Sequence, residues 1–491
     1  MLLTASQMKA VEETAFMQGA SPAGLMEVAG VGIAQAIRQF FPAPGTVVVF
    51  CGKGHNGGDA LVAAHHLAGD GWKVLVRLAS GIEELAPLTR SHLQSLPAAA
   101  IIETCPKITG ESLILIDGLL GIGSTGAPRG VIADRIGEMN RLRRSMGGFS
   151  IAIDLPSGLQ ATTGEVFDPC IQADLTITIG AVKTGLVNDR ATAVVGRLAL
   201  VPLPDISADG GDPDQVATAE LLRPLLPIRS FDSFKGTYGR IGILAGSRGT
   251  LGAASLCSAA AVHGGGGLVT LYTLPENYGL LTSLCIPEVM VQQVDSYLEI
   301  LEHRHDVLGI GSGLGRSRDK EILRLIRESP LPCVLDADAL NAVATDLSML
   351  THSAGPRLLT PHPGEMERLE PQAGRTRRVW ATEFVERYPV TLLLKGSRTI
   401  VAQGGESPLF NTTGNPGMGT GGMGDVLTGL CTALIGGGQT LWDAAILGAW
   451  LSGRAAELAI FQGTDSQESL AASSVIGSLG RATEALRRGE F

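Results

Sequence analysis

The sequence contains no run of lysines or arginines: 38 cationic residues are dispersed among 48 acids, for a formal net charge of -10. A nucleic-acid partner needs clustered cations to meet its phosphates, so that class is excluded. The short "RLRR" at 141–144 is expected to be a solvated helix end. No C-x-x-C pair occurs either. The seven cysteines (51, 105, 170, 257, 285, 333 and 431) are scattered and odd in number. They exclude a zinc or redox pair and read as buried thiols in a reducing compartment. The amino terminus, "MLLTASQMKAVEETAFMQG", lacks the basic start and apolar core of a signal peptide. The longest stretch free of Asp, Glu, Lys and Arg, residues 249–275, holds "HGGGG" and many hydroxyls, which suit lipid badly. The expected setting is cytoplasmic, without membrane or nucleic-acid partners.

Glycine is what the chain has in excess: 65 of 491 residues, about 13% against a usual ~7%. The glycines gather at the ends of apolar runs and do not repeat with a period, which excludes collagen-like and low-complexity chains. The apolar runs themselves are short and β-branched or leucine-rich. "TVVVF" (46–50), "KVLVRLA" (73–79), "SLILID" (112–117), "SIAID" (150–154) and "LTITIG" (175–180) alternate with helical stretches. Such alternation predicts a parallel sheet covered on both faces. "VPLPDISADGGDPDQ" (201–215) interrupts it with the composition of an exposed connector. The rhythm then resumes through "RIGILAG" (240–246), "LVTLYT" (268–273), "DVLGIG" (306–311), "PCVLDA" (332–337), "RLLTPH" (357–362) and "VTLLLKG" (390–396). At 491 residues the chain exceeds what one hydrophobic core supports, and two α/β domains joined near residue 210 are expected.

In the first half, Gly52, Gly54 and Gly57 match G-x-G-x-x-G between a strand and a helix. The acidic residue that would hold an adenosine ribose about twenty positions on is missing, since "VLVRLAS" ends at Ser80. Ordinary nicotinamide redox binding is therefore disfavoured. Arg77 could favour an additional phosphate, although a surface arginine is the simpler reading. Asn56 and Asp59 lie in this first glycine loop, and Asp117 and Asp154 end later strands. The carboxyl ends of strands in an open α/β sheet border one crevice, so these oxygens can converge on a hard cation or a proton relay. Taken singly, each Asp could merely cap a helix or a turn.

"NGGDA" (56–60), "DGLLGIGSTGAPRG" (117–130) and "IDLPSG" (153–158) together resemble the YjeF N-terminal domain of NAD(P)H-hydrate epimerases, across about residues 1–210. The resemblance implies a Rossmann-like three-layer α/β/α sheet that interconverts the R and S forms of hydrated NADH and NADPH. It implies that the hydrate meets Asn56, Gly57, Gly58, Asp59 and Ala60, the loop Gly121, Ile122, Gly123, Ser124, Thr125, Gly126 and Ala127, and Asp154. It further implies a potassium ion (K+) held by Asn56, Asp117 and Ser157. Three positions depart from the family pattern: Ala60 stands where glycine is usual, Gly118 where alanine is usual, and Ile122 where threonine is usual. Inversion at a carbon bearing both nitrogen and hydroxyl needs only reversible opening or loss of hydroxide with a proton relay, a task that Asp154 suits. A binding module of this fold without catalysis is the alternative.

The second half holds the glycine-dense "GNPGMGTGGMGDVLTG" (414–429), whose one charge, Asp425, stands where an apolar helical pattern begins. Bare backbone N–H groups at a helix N-terminus stabilise the charge that spreads over a transferring phosphoryl group. Asp425 is placed to take a proton from an attacking hydroxyl. This resembles the G-x-G-D signature of ribokinase-like kinases. With "GILAGSRGTLGAA" (242–254), "GIGSGLG" (309–315), "VLDADALN" (334–341), "TPHPGEM" (360–366) and "LLLKGSRTIV" (392–401), the ordered set resembles the YjeF C-terminal domain, over about residues 220–491.

That domain is an ADP- or ATP-dependent NAD(P)H-hydrate dehydratase. The resemblance implies that Lys395, Gly396, Ser397, Arg398, Thr399 and Gly424 meet the adenine nucleotide. Ala253, Gly313, His362 and Asp425 would meet the hydrate. His362, between two prolines, could instead be a rigid turn residue, and Lys395 a solvated charge. ADP is the expected phosphoryl donor, with ATP as the other candidate, and Mg2+ the expected companion ion. A homo-oligomer is the expected state. The rival reading is a vitamin-precursor kinase, acting on hydroxymethylpyrimidine or hydroxyethylthiazole.

Overall fold

The computed structural model describes residues 1–97, 100–108, 110–206 and 210–491, and divides into two compact units. Met1–Thr218 with Glu490–Phe491 form the first, and Ala219–Gly489 the second. Residues 207–209 of the expected connector lie outside the described residues. The connector also begins later than its composition suggests. Arg197–Val201 is a sheet strand, with Val201 and Leu203 buried.

Strands of the first unit lie side by side in the order Lys73–Leu78, Thr46–Cys51, Leu113–Gly118, Phe149–Ile153, Leu175–Ile179, Arg197–Val201, all parallel. Val47 to Cys51 and Ile114 to Ile116 are fully buried on both faces, as an unbroken apolar run in a covered parallel sheet requires. Two strands run in from opposite sides of the chain at Thr46–Cys51 and Leu113–Gly118, which makes their carboxyl ends the switch point where such sheets open a crevice. Asn56 lies in the first turn of the helix that follows Thr46–Cys51, and Asp117 lies at the end of Leu113–Gly118 itself.

The second unit repeats this plan with a longer sheet. Its strands follow the order Val289–Gln293, Leu268–Thr273, Arg240–Leu244, Val307–Ile310, Cys333–Leu335, Arg357–Leu359, Thr391–Leu394, Ile400–Gln403, Leu409–Phe410. Pairing is parallel as far as Thr391–Leu394 and antiparallel beyond it. The switch point falls between Arg240–Leu244 and Val307–Ile310, and the expected site residues again occupy the carboxyl ends.

The charge-free stretch 249–275 divides into the helix Leu251–His263 and the strand Leu268–Thr273. The helix Leu441–Phe461 is long and apolar enough to cross a membrane, yet 89% of its most apolar window is buried inside the protein, which is the state of a core helix.

Packing explains two of the departures from the family pattern, Ala60 and Gly118. A Cβ placed on Gly118 would stand 2.7 Å from the Cβ of Ala60, closer than two carbons can approach. The methyl group has moved from the strand end to the helix facing it, and the strand end is filled by its neighbour instead of being loosened. Gly118→Ala should therefore cost about 1–3 kcal/mol by overpacking, and Ala60→Gly/Gly118→Ala should recover most of it. Urea unfolding of the three proteins checks this; a double variant no more stable than Gly118→Ala contradicts it.

Candidate functional site

The helix His55–Gly69 follows its strand after only three residues, and its N-cap, Gly54, offers no side-chain cap. Close approach is what the first glycines provide. A Cβ on Gly52 would lie 1.9 Å from Leu119 O, and one on Gly57 would lie 2.3 Å from Gly52 O. The G-x-G-x-x-G match thus serves backbone packing between two strand ends.

Around this packing Asn56, Asp117 and Ser157 come together. Asn56 Nδ2 donates to Leu120 O (2.8 Å), and Leu120 N donates to Ser157 Oγ (2.9 Å). Ser157 N and Oγ both donate to Asp117 (2.7 Å each), and Leu119 N adds a third bond at 3.1 Å. Asp117 is fully buried, and burial lifts its carboxyl to about 6 against these three hydrogen bonds. All three donors are neutral. A hard monovalent cation among these oxygens would supply the countercharge, so the donor set fits potassium.

Asp154 leaves its strand with φ at 67°, a left-handed conformation that side chains rarely adopt and that gathers at functional sites. Its Oδ1 pairs with Lys183 Nζ and also accepts from Thr178 Oγ1 and Ile179 N at 3.3 Å each. Lys183 is 1% exposed and also donates to Ile179 O at 2.8 Å. Two further carboxyls feel this pair. Burial, then Asp154 and Glu12, push Asp59 well above the usual carboxylate range against the pull of Lys183. Burial also raises Glu12. Glu12 arrives on the helix Ala5–Met17, docked because Leu3 pairs with Lys183 and because Leu3, Met8 and Ala181 pack together with Ile122.

Within the loop 121–127, Ser124 N and Oγ bond Gly121 O at 3.1 Å, and Gly121 faces Asn56. Gly123, Thr125, Gly126 and Ala127 complete that loop, with Gly126 at φ 76°. Gly58 and Ala60 lie in the first turns of the glycine-capped helix. Arg77 is not a free surface charge: its Nε bonds Glu138 at 3.1 Å.

In the second unit the helix Met423–Gly436 starts at Gly422, which takes φ 93°. The leading N–H groups of this helix lack intrahelical partners and are screened by no capping side chain. Asp425 sits in the first turn, where burial and the neighbouring Asp336 raise it to about 6, against Ser312 and Lys395, which lower it. Lys395 is not a solvated charge. It bonds Asp336 at 2.7 Å and stands 3.7 Å from Glu365. Burial alone would depress its ammonium, but Asp336, Glu365 and Asp425 outweigh that and hold its pKa above the ordinary value. Gly424 makes room for the pair: a Cβ there would lie 3.2 Å from Asp336 Oδ2 and 3.3 Å from Lys395 Nζ. Thr428 Oγ1 holds the other Asp336 oxygen at 2.9 Å, and Ala337, next in sequence, has φ 47°.

His362 caps the helix Pro363–Leu369, its Nδ1 accepting from Gly364 N (3.0 Å) and Glu365 N (3.3 Å). It is thus a rigid turn residue as well, with Nε2 on a side chain that is 53% exposed. Ala253 and Gly313 touch, since a Cβ on Gly313 would lie 3.0 Å from Ala253 Cβ. Thr399 Oγ1 bonds Gly396 O at 3.0 Å and, with Ser397, edges the turn. Arg398 is 2% exposed, with its Nη1 directed inward at Asn411 O.

The glycine loop is tethered from behind. Gly414 N donates to Glu457 Oε1 at 2.8 Å, and Arg454 Nη1 holds Glu457 Oε2 at 3.1 Å with both side chains 1% exposed. No group of three or more His, Cys, Asp or Glu suited to a metal ion occurs among the described residues. A magnesium ion here fits best as one carried by the nucleotide's own phosphates.

Sequence reasoning missed Lys183, Glu12, Asp336, Glu365 and Glu457. Asp336 and Glu365 stood inside quoted motifs, at a strand end and a helix start. No local pattern marks the others.

Comparison with known proteins adds two family matches. Residues 22–185 match the family described as YjeF-related protein N-terminus, and residues 241–476 match the one described as NAD(P)H-hydrate dehydratase. The bifunctional NAD(P)H-hydrate repair enzyme Nnr of Moorella thermoacetica is 36% identical, over 94% of this chain and 93% of that protein. Its counterpart from Escherichia coli is also 36% identical, over 91% of this chain and 87% of that protein. Among solved structures, a ribokinase-like superfamily protein from Enterococcus faecalis superposes with a TM-score of 0.50 at 27% identity, covering 56% of this chain and 96% of that one.

Proposed function

The chain belongs to the family of bifunctional NAD(P)H-hydrate repair enzymes, and from that membership we propose how its residues divide the work. The first unit epimerises the R and S hydrates of NADH and NADPH. The ribokinase-like second unit dehydrates the S form at the expense of ADP, with ATP as the other donor, and restores the reduced cofactor. A dehydratase that accepts one epimer strands the other, so the two activities on one chain make all of the damaged cofactor repairable. Both act in the cytoplasm, where the seven free cysteines stay reduced.

The observation that carries the dehydratase reading is Asp425: a carboxylate raised to about 6, in the first turn of a helix whose leading amides are bare. Hydroxide leaves badly at neutral pH and phosphate leaves well. Asp425 takes the proton from the C6 hydroxyl, whose oxygen attacks the terminal phosphorus while AMP departs. The bare amides and Lys395 meet the charge that develops on the phosphoryl oxygens. The ring nitrogen's electron pair then expels phosphate, and loss of a C5 proton restores the dihydropyridine. Magnesium, when bound, neutralises part of the phosphate charge. His362, Ala253 and Gly313 border the hydrate, and the turn Lys395–Thr399 with Gly424 borders the nucleotide.

In the first unit the hydrate lies against Asn56 to Ala60, the loop 121–127 and Asp154. Asp154 accepts and returns a proton there while Lys183 fixes its position. Asp59, which burial and then Asp154 and Glu12 push well above the usual carboxylate range, is the neighbouring carboxyl. Asn56, Asp117 and Ser157 would hold potassium, which when bound would supply the countercharge to the buried Asp117 carboxylate.

Two outcomes are expected. Asp425→Asn should slow ADP-dependent recovery of NADH absorbance by about 10²–10⁴-fold while R and S hydrates still equilibrate. In the wild type, kcat should rise with pH along a limb near 6, because the base must be deprotonated; a variant with undiminished turnover contradicts the assignment. Potassium should stabilise the first unit by about 1.4 kcal/mol at ten times its Kd, a gain that Asp117→Asn abolishes. Thermal unfolding with and without the ion measures it, and an equal gain in the variant sinks the site.

A further inference from the structure

We propose that Arg377 shapes the nucleotide subsite, holding the turn 395–399 so that its peptide N–H groups face the phosphates of the adenine nucleotide. The inference rests on the dehydratase reading and names a positioning residue within it. Arg377 opens the helix Arg377–Arg387, outside every motif that marks the site in the sequence. Its Nη1 donates to Arg398 O at 3.0 Å, and its Nη2 donates to Leu394 O at 3.2 Å and Lys395 O at 3.0 Å. Three carbonyls of one tight turn thus converge on one guanidinium. The group lies directly against Gly396, where a Cβ would stand 2.5 Å from Nη2 and 2.8 Å from Cζ. Glycine at 396 is what lets the planar fork reach the backbone on both sides of the turn.

The consequence follows from peptide geometry. In a trans peptide the N–H points opposite to the carbonyl of the same unit. Where Leu394 O faces Arg377, Lys395 N accordingly donates to Pro361 O at 2.8 Å, on the side of the neighbouring His362. By the same rule, drawing Lys395 O and Arg398 O toward Arg377 turns the N–H groups of Gly396 and Thr399 toward that opposite side. Two amides of a short turn pointing one way, beside the Lys395 ammonium, form a concave anion site. Without the guanidinium those peptide planes are free to rotate, and a carbonyl turned toward a phosphate repels it.

The test compares full-length wild type, Arg377→Ala and Arg377→Lys, with ADP affinity read by calorimetry and KM read separately for ADP and for the S hydrate. Epimerisation by the same chain reports that the first unit is intact, and a thermal transition reports that the second is. Arg377→Ala should weaken ADP by about ten- to a hundredfold and leave the KM for hydrate within about twofold. Arg377→Lys should fall between, and added guanidinium ion should restore part of the Arg377→Ala loss. ADP affinity unchanged in Arg377→Ala, or loss of ADP and hydrate affinity in equal measure, overturns the inference. If Arg377→Ala lacks the thermal transition, Arg377→Lys decides alone: weakened ADP binding supports the inference and unchanged binding overturns it. A wild type that binds neither ADP nor ATP overturns the dehydratase reading, and this inference with it.

Discussion

The ion pair of Lys395 with Asp336, under the gap left by Gly424, is the contact on which the second unit's chemistry depends. It joins the turn between two antiparallel strands to the carboxyl end of Cys333–Leu335, and through Thr428 to the helix that carries Asp425. Its partial burial matters twice. The ammonium is kept charged by three carboxylates, and Asp336 in turn raises Asp425 toward the pH at which a carboxylate can take a proton and release it again. A methyl group on Gly424 would push into that pair, so the glycine which bares the anion site also permits the electrostatics beside it.

The first unit solves a related problem with different parts. There a buried lysine meets Asp154 on a strained backbone, and the neighbouring Asp59 and Glu12 crowd more negative charge nearby than one ammonium can balance. Burial raises both of these carboxyls, the direction that favours their holding a proton. Asp117 stands apart from that cluster, bonded only by neutral donors, and its charge calls for an ion. In the first unit the raised Asp117 ends a parallel strand at the switch point, and in the second the raised Asp425 opens a helix beside Asp336, which follows the parallel strand Cys333–Leu335.

Part of this was legible in the sequence because glycines and apolar strand ends point to the crevice: Asn56 and Asp425 lie one or two positions past a glycine, and Asp117 and Asp154 close apolar runs. These four were singled out in that way. The strands Val289–Gln293, Ile400–Gln403 and Leu409–Phe410 were not, since the first is a partly polar edge and the others are short. Lys183 could not be read either: its role comes from pairing with Asp154 across a turn of the fold, and a lone lysine in a sequence looks like surface. Arg377 and Glu457 act through carbonyl and amide groups, which carry no sequence signal. The exchange of a methyl between Ala60 and Gly118 looked like two unrelated irregularities until the residues were seen to touch.

The central claim is that the C6 oxygen departs bonded to phosphorus. It is tested most directly by preparing the S hydrate with 18O in that hydroxyl, running a single turnover with ADP, and weighing the inorganic phosphate by mass spectrometry. One 18O atom in each phosphate is the result predicted. Unlabelled phosphate, formed while the unreacted hydrate still carries its label, would contradict it.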